Sequence, residues 1–144
     1  MSKNSGHRWF AAFYTMQMRM AERGPLGKWR SELMSDLRGA IVEIGAGTGS
    51  NFTHYSHDAH VLAFEPDPFM LRRAQAAIIE HQLGNIDVRH AAAESLPVDD
   101  ASFDAVVSTL VLCMVQDPAR SLQEIRRVLR PGGELRFIEH VRGE

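Results

Sequence analysis

The stretch IVEIGAGTGSN, Ile41 to Asn51, decides how the rest of this chain is read. An apolar run broken by one acid leads into three glycines at alternate positions, Gly45, Gly47 and Gly49. A run of this length suits a buried strand, and glycines directly after it let the backbone turn tightly and lie against something that side chains would block. A short helix beginning near Gly49 would present unpaired N–H groups to the same place. Taken alone, the glycines are also explained by a plain strand-to-helix turn.

Working outward, strand and helix signals alternate. HVLAFE (His60–Glu65) reads as a second strand. Asp67 then caps a helix with Pro68 at its first position, and that helix stops near Gly84. IDVRH (Ile86–His90) is a third strand, and FDAVVSTLVL (Phe103–Leu112) contains a fourth. Asp117-Pro118 repeats the cap. Leu122, Ile125 and Leu129 supply a helical face, Pro131-Gly132-Gly133 ends it, and ELRFIEHV forms a fifth strand. Ahead of the glycines, Trp9, Phe13, Met16 and Met20 predict a helix from about Arg8 to Arg23, closed by Gly24-Pro25. A second helix places Leu26, Trp29, Leu33 and Leu37 on one face before Gly39.

Short apolar strands between amphipathic helices predict an α/β fold, a Rossmann-like doubly wound parallel sheet of about five strands in the order 3-2-1-4-5, with right-handed crossovers. In such sheets ligands bind beyond the carboxyl ends of the strands, where the strand order reverses. The glycine turn sits there if Ala40–Ile44 is the central strand. Glu65, twenty residues after Gly45, ends the next strand, where a carboxylate can accept both hydroxyls of a ribose. The site is therefore read as one for a nucleoside-containing ligand.

Composition narrows the classes. The chain has 144 residues, 44% hydrophobic and 24% charged, which suits one globular domain burying about 68–70% of its unfolded surface. With 16 basic and 18 acidic side chains the net charge is -2, so no nucleic-acid partner is expected. The one cysteine, Cys113, excludes an intramolecular disulfide and fits a reducing compartment. No signal peptide and no run of roughly 18 apolar residues is present, so a cytoplasmic location is expected. The sequon Asn51-Phe52-Thr53 would matter only in a secreted chain.

The glycine spacing separates two nucleoside ligands. A dinucleotide fingerprint reads G-x-G-x-x-G, whereas this chain reads Gly45-Ala46-Gly47-Thr48-Gly49, with Glu43 two residues ahead. This resembles the E-x-G-x-G-x-G signature of class I S-adenosylmethionine-dependent methyltransferases. FEPDPFMLRRA, AAAESLPVDDASFDAVVSTLVLCMV and SLQEIRRVLRPGGELRFIEHVRGE resemble successive segments of the methyltransferase type 11 group, relatives of the quinone-biosynthesis enzymes. Within that group, LVLCMVQDP and FIEHVRG are similar to the branch of small-thiol methyltransferases and bacterial phospholipid N-methyltransferases.

The resemblance implies S-adenosyl-L-methionine as cofactor and no metal. It implies that Gly45, Ala46, Gly47 and Gly49 face the methionine part and that Glu43 lies near its amino group. Glu65 would bind the ribose, Pro66 and Met70 would pack near the adenine, and Ala93 and Glu94 would lie on its other side. Many relatives have an aspartate where this chain has Ala92. Thr109 and Leu110 would reach the methionine moiety through backbone carbonyls.

Residues 1–39 are then an N-terminal helical lid or substrate segment, and residues 40–144 the S-adenosylmethionine-binding domain. The expected function is methyl transfer to the sulfur, nitrogen or oxygen of a small hydrophobic or lipid-like acceptor. Alternatives are a non-catalytic cofactor-binding subunit and, disfavoured by the glycine spacing, a nicotinamide-dependent oxidoreductase. Ser108-Thr109-Leu110-Val111 departs from the Asn/Asp-Pro-Pro-aromatic motif of nucleic-acid amino methyltransferases.

Tyr14, His54, Tyr55, His57, Cys113 and His140 are the side chains able to line a substrate pocket, with His140 and Tyr14 the catalytic candidates. The aromatic and methionine-rich first helix, flanked by Arg8, Arg19 and Arg23, reads as a lid or core helix, with peripheral membrane contact as the alternative. Family members add two strands after the fifth, whereas this sequence stops at Glu144. The expected cover for the free edge is a second copy in a homodimer, and a piece of a longer protein fits the sequence equally.

Overall fold

The computed structural model describes residues 24–140, so the first predicted helix and Tyr14 lie outside the described residues. The described elements run in the order α1 (Pro25–Met34), β1 (Gly39–Ile44), a single 3-10 turn (Phe52–His54), β2 (Ala59–Phe64), α2 (Pro68–Glu80), β3 (Ile86–Arg89), β4 (Phe103–Thr109), α3 (Pro118–Val128) and β5 (Leu129–Ile138). The five strands form one sheet in the order β3-β2-β1-β4-β5, and each neighbouring pair is parallel. The Rossmann-like order expected from the alternation is therefore the order found.

Two apolar layers hold the sheet. On one face Met34 and Leu37 pack with Ile41, Val61, Ala63, Val88, Val107 and the α2 residue Ala74. On the other, Val42, Ile44, Phe64 and Val106 pack with Ile125 and Val128 of α3 and with Ala93 and Leu96 of the loop after β3. Strand side chains alternate between faces, so β1 sends Ile41 and Glu43 towards α1 and Val42 and Ile44 towards α3.

Asp67 caps α2 by accepting from the N–H groups of Phe69 and Met70, and Asp117 caps α3 by accepting from that of Arg120. Each such cap stabilises its helix by about 1 kcal/mol.

Five local expectations are corrected. In α1 the buried side chains are Arg30 and Met34; Trp29, expected on the inner face, is 54% exposed, and Leu37 packs inside but beyond the helix end. The helix expected near Gly49 is only the 3-10 turn Phe52–His54. The helix expected to reach Gly84 ends at Glu80. In α3 the inner face is Ser121, Glu124, Ile125 and Val128, so Leu122 is exposed and Leu129 already begins β5. The pairing jumps from Phe103↔Leu129 to Ala105↔Glu134, which makes Pro131-Gly132-Gly133 a bulge inside β5.

Candidate functional site

The glycine turn leaves the carboxyl end of β1, the central strand. Gly45 has φ +59°, and a Cβ there would fall 2.6 Å from either methyl carbon of Val111. Gly49 has φ +86°, and its Cβ would meet the Phe52 ring at 2.7 Å. Both positions demand glycine, by conformation and by contact. The turn is tied to the end of β2: Ala46 N–H donates to the Phe64 carbonyl at 2.9 Å, and Gly47 N–H donates to Glu65 Oε1 at 2.9 Å. Glu65 Oε2 accepts from Asp67 N–H at 2.7 Å. The carboxylate thus bridges the two loops that border the switch point. Burial pushes its pKa up, against the two backbone N–H groups that favour the charged form.

Beneath the turn lies a buried polar cluster gathered from α1, β1, the 3-10 turn and β4. Glu43 is fully buried. Its Oε1 accepts from Asn51 Nδ2 and, at 3.1 Å, from the Tyr55 hydroxyl. Asn51 Nδ2 also reaches Thr109 Oγ1 at 2.9 Å. Arg30 Nη1 donates to Asn51 Oδ1 and, at 3.3 Å, to Thr109 Oγ1. Burial raises the Glu43 carboxyl to about 7, although Asn51, Tyr55 and Arg30 all favour its anion. Burial likewise raises the Tyr55 phenol, followed by the nearby Glu43 charge, so Tyr55 stays a donor. Glu43 Oε2 is buried with no hydrogen-bond partner among the described residues.

The far side of the site is the loop after β3. Met70 and Ala93 are buried, whereas Pro66 and Ala92 are exposed. The Pro66 carbonyl lies 2.9 Å from His90 Nε2. Glu94 Oε1 accepts from Gln116 N–H at 3.0 Å and Asp117 N–H at 3.3 Å, so its carboxylate holds the approach to α3. Arg127 anchors the same loop from α3: it donates to the carbonyls of Leu96 and Val98 and pairs with Glu124 and Asp100.

At the end of β4, Thr109 turns its hydroxyl into the buried cluster and Leu110 takes the left-handed conformation, φ +59°. The next strand ends in a residue the sequence reading passed over. Glu139 Oε1 accepts from Ser108 Oγ at 2.8 Å, Leu112 N–H at 3.1 Å and Val111 N–H at 3.2 Å. Its neighbour His140 is exposed.

Of the candidate side chains, Tyr55 joins the cluster, His54 is half-buried, and His57 and Cys113 are exposed. Glu43, Glu65, the glycine turn and Thr109 are brought together at one end of the sheet. Arg30, Asn51 and Glu139 were missed. The only sequence signal for Arg30 is its i, i+4 spacing from Met34, which marks a face but not its contact. No group of acidic, histidine or cysteine side chains able to hold a metal occurs among the described residues.

A methyltransferase domain family model matches residues 42–137. Thiol S-methyltransferase TMT1B of Homo sapiens is 38% identical over 122 residues, covering 78% of this chain and 50% of that protein. A phosphatidylethanolamine N-methyltransferase of Cereibacter sphaeroides is 34% identical over 103 residues, covering 71% of this chain and 51% of that protein. The chain spans about half the length of these curated relatives. A solved structure from Methanococcus maripaludis, described as a candidate S-adenosyl-L-methionine-dependent methyltransferase, matches with a TM-score of 0.77 at 19% identity, covering 96% of this chain and 67% of that one, which shows the shared fold.

Proposed function

Because the chain belongs to the methyltransferase domain family, in the class I S-adenosylmethionine-dependent group, we propose that it moves a methyl group from S-adenosylmethionine to a small apolar or lipid-like acceptor. The observation that carries this reading is Glu65, a buried carboxylate at the end of β2 cross-linked to the glycine turn through Gly47 N–H. Each of its oxygens receives one backbone N–H and keeps a second acceptor position, enough for two vicinal ribose hydroxyls. Glu43 fits as well, since an ammonium group would satisfy its unpartnered buried oxygen. The names of the thiol and phosphatidylethanolamine relatives support an acceptor with a soft or amine nucleophile beside apolar bulk.

When bound, the cofactor supplies a methyl group already activated on a sulfonium. The chain's own residues then have three tasks. Glu65 and Glu43 orient, from the ends of β2 and β1; the glycine turn permits close approach; and the bend after β4, seating Val111 on Gly45, holds that turn in shape. Positioning of this kind supplies much of the rate when the leaving group is already good. We propose His140, exposed just beyond β5, as the residue that orients the acceptor or takes a proton from it.

Calorimetric titration with S-adenosylhomocysteine tests the reading. Micromolar binding, weakened at least about tenfold by Glu65→Ala and absent with NADH, is the expected result. A folded chain that takes up no S-adenosylhomocysteine would overturn it. Binding without methyl transfer to thiols, amines or phospholipid headgroups would favour a cofactor-binding subunit instead.

A further inference from the structure

Leu110 is held where a leucine is uncommon. A left-handed φ on a non-glycine residue costs on the order of 1–3 kcal/mol and persists only where surrounding contacts enforce it. Two contacts do so here. Leu110 N–H donates to the Ile138 carbonyl at 2.7 Å, and Glu139 Oε1 collects Ser108 Oγ from before the bend and the Val111 and Leu112 N–H groups from after it. One carboxylate oxygen therefore clamps both arms of the turn.

The bend has a destination. It swings Val111 over the glycine turn, so that its methyl carbons occupy the space a side chain at Gly45 would need. From Gly45 the backbone passes directly into the Ala46 and Gly47 N–H groups, bonded to Phe64 and Glu65. Glu139 is thus connected to the proposed ribose carboxylate, Glu65, through one side chain and one turn, though it hydrogen-bonds to no member of that turn.

We infer that Glu139 is a positioning residue for the cofactor site: it sets the shape of the glycine turn by clamping the bend at Leu110 that seats Val111 on Gly45. The inference rests on the cofactor reading for its effect on binding but not for the mechanical link itself. Glu139→Ala removes the clamp. Glu139→Gln retains an oxygen for the three donors but puts an amide where Oε2 lies buried with no partner among the described residues, so it restores only part of the function. Phe137→Ser, in β5 two residues before Glu139 and 57% exposed, is the control.

Two readouts decide. Amide hydrogen exchange needs no ligand: Glu139→Ala should speed exchange at Val111 and Leu112 and also at Ala46, Gly47 and Gly49, whereas a purely local clamp would change only the first pair. Calorimetry with S-adenosylhomocysteine should show Kd about tenfold weaker in Glu139→Ala, intermediate in Glu139→Gln and unchanged in Phe137→Ser. Val111→Ala should weaken binding similarly, and the pair Glu139→Ala with Val111→Ala should be non-additive because both act through one contact. Unchanged exchange at residues 46–49 together with an unchanged Kd in Glu139→Ala overturns the inference while leaving the cofactor reading intact. A wild-type chain that binds no S-adenosylhomocysteine but shows the exchange link overturns the cofactor reading and leaves the link standing.

Discussion

The rim formed by the carboxyl ends of the strands has two halves, and they are held in different ways. At the β1–β2 half, backbone N–H groups of the glycine turn bond the end of the next strand, and below them Glu43, Asn51, Tyr55, Thr109 and Arg30 interlock out of solvent. At the β4–β5 half, a bend after the strand is fixed by one backbone bond, Leu110 N–H to the Ile138 carbonyl, and one side chain, Glu139, and Cys113, Met114 and His140 beyond it are exposed. The first half is a buried network of paired side chains, with Glu43 Oε2 unpartnered among the described residues, in which a lost partner strands another. The second is a shallow clamp beside open surface, which can change locally. On the reading proposed above, the cofactor's seat is the interlocked half and the acceptor's rim the more exposed one.

The sharpest way to break the contrast is Asn51→Ala. Asn51 accepts from Arg30 and donates to both Glu43 and Thr109, so its removal leaves buried charged and polar atoms short of partners. Such losses cost about 3–4 kcal/mol. Urea unfolding should show a fall of that size with an unchanged m-value. A fall below about 1 kcal/mol would mean that the cluster re-pairs or hydrates easily, and the two halves would be equally soft.

Legibility divides along the same line. Gly45, Gly47, Gly49 and Glu65 follow local rules: glycine where the chain must turn left-handed or approach closely, an acid at the end of a strand. Periodicity and the two Asp-Pro caps likewise fixed the strand order and the helix starts before any contact was known. What sequence could not show is set by contacts across long separations. Arg30 reaches Thr109 over 79 positions, and Glu139 reaches Ser108 over 31. An arginine on a short helix ordinarily faces solvent, and nothing in its neighbours announces that Trp29 will be outside and Arg30 within. Histidine carries the more familiar chemistry, yet it is Glu139 that is half-buried and bonded to the β4 bend, while His140 is exposed.

Glu43 sharpens the comparison through pH. Burial raises its carboxyl from 4.5 to about 7, so the folded chain holds a proton that the unfolded chain releases above 4.5. Its contribution is therefore favourable and complete below pH 4.5, declines as pH rises, and is fully lost above about 7. Taken alone this amounts to roughly 3 kcal/mol. Urea midpoints measured from pH 4.5 to 7.5 should fall more steeply in the wild type than in Glu43→Gln, which removes the titration. An ammonium group docking beside Glu43 would favour the anion, so S-adenosylhomocysteine binding should release a proton below pH 7 and cease to do so well above it. Equal pH profiles for the two chains would remove Glu43 from the account of both stability and binding.

The smallest stability effect is expected at the other half, from His140→Ala. The side chain is exposed, and its loss should shift unfolding by no more than about 0.5 kcal/mol. Yet it adjoins Glu139, and the two residues are assigned different tasks. Glu139→Ala should act on cofactor affinity through the clamp, whereas His140→Ala should leave the S-adenosylhomocysteine Kd unchanged and lower turnover, by about a hundredfold or more if His140 takes the acceptor's proton. A split of that kind would mean that a single strand end serves the cofactor with one side chain and the acceptor with the next. Were both substitutions to weaken binding alike, the end of β5 would be acting as one structural unit, and the acceptor contact would have to be sought on another element, with the exposed residues after Leu110 the nearest to examine.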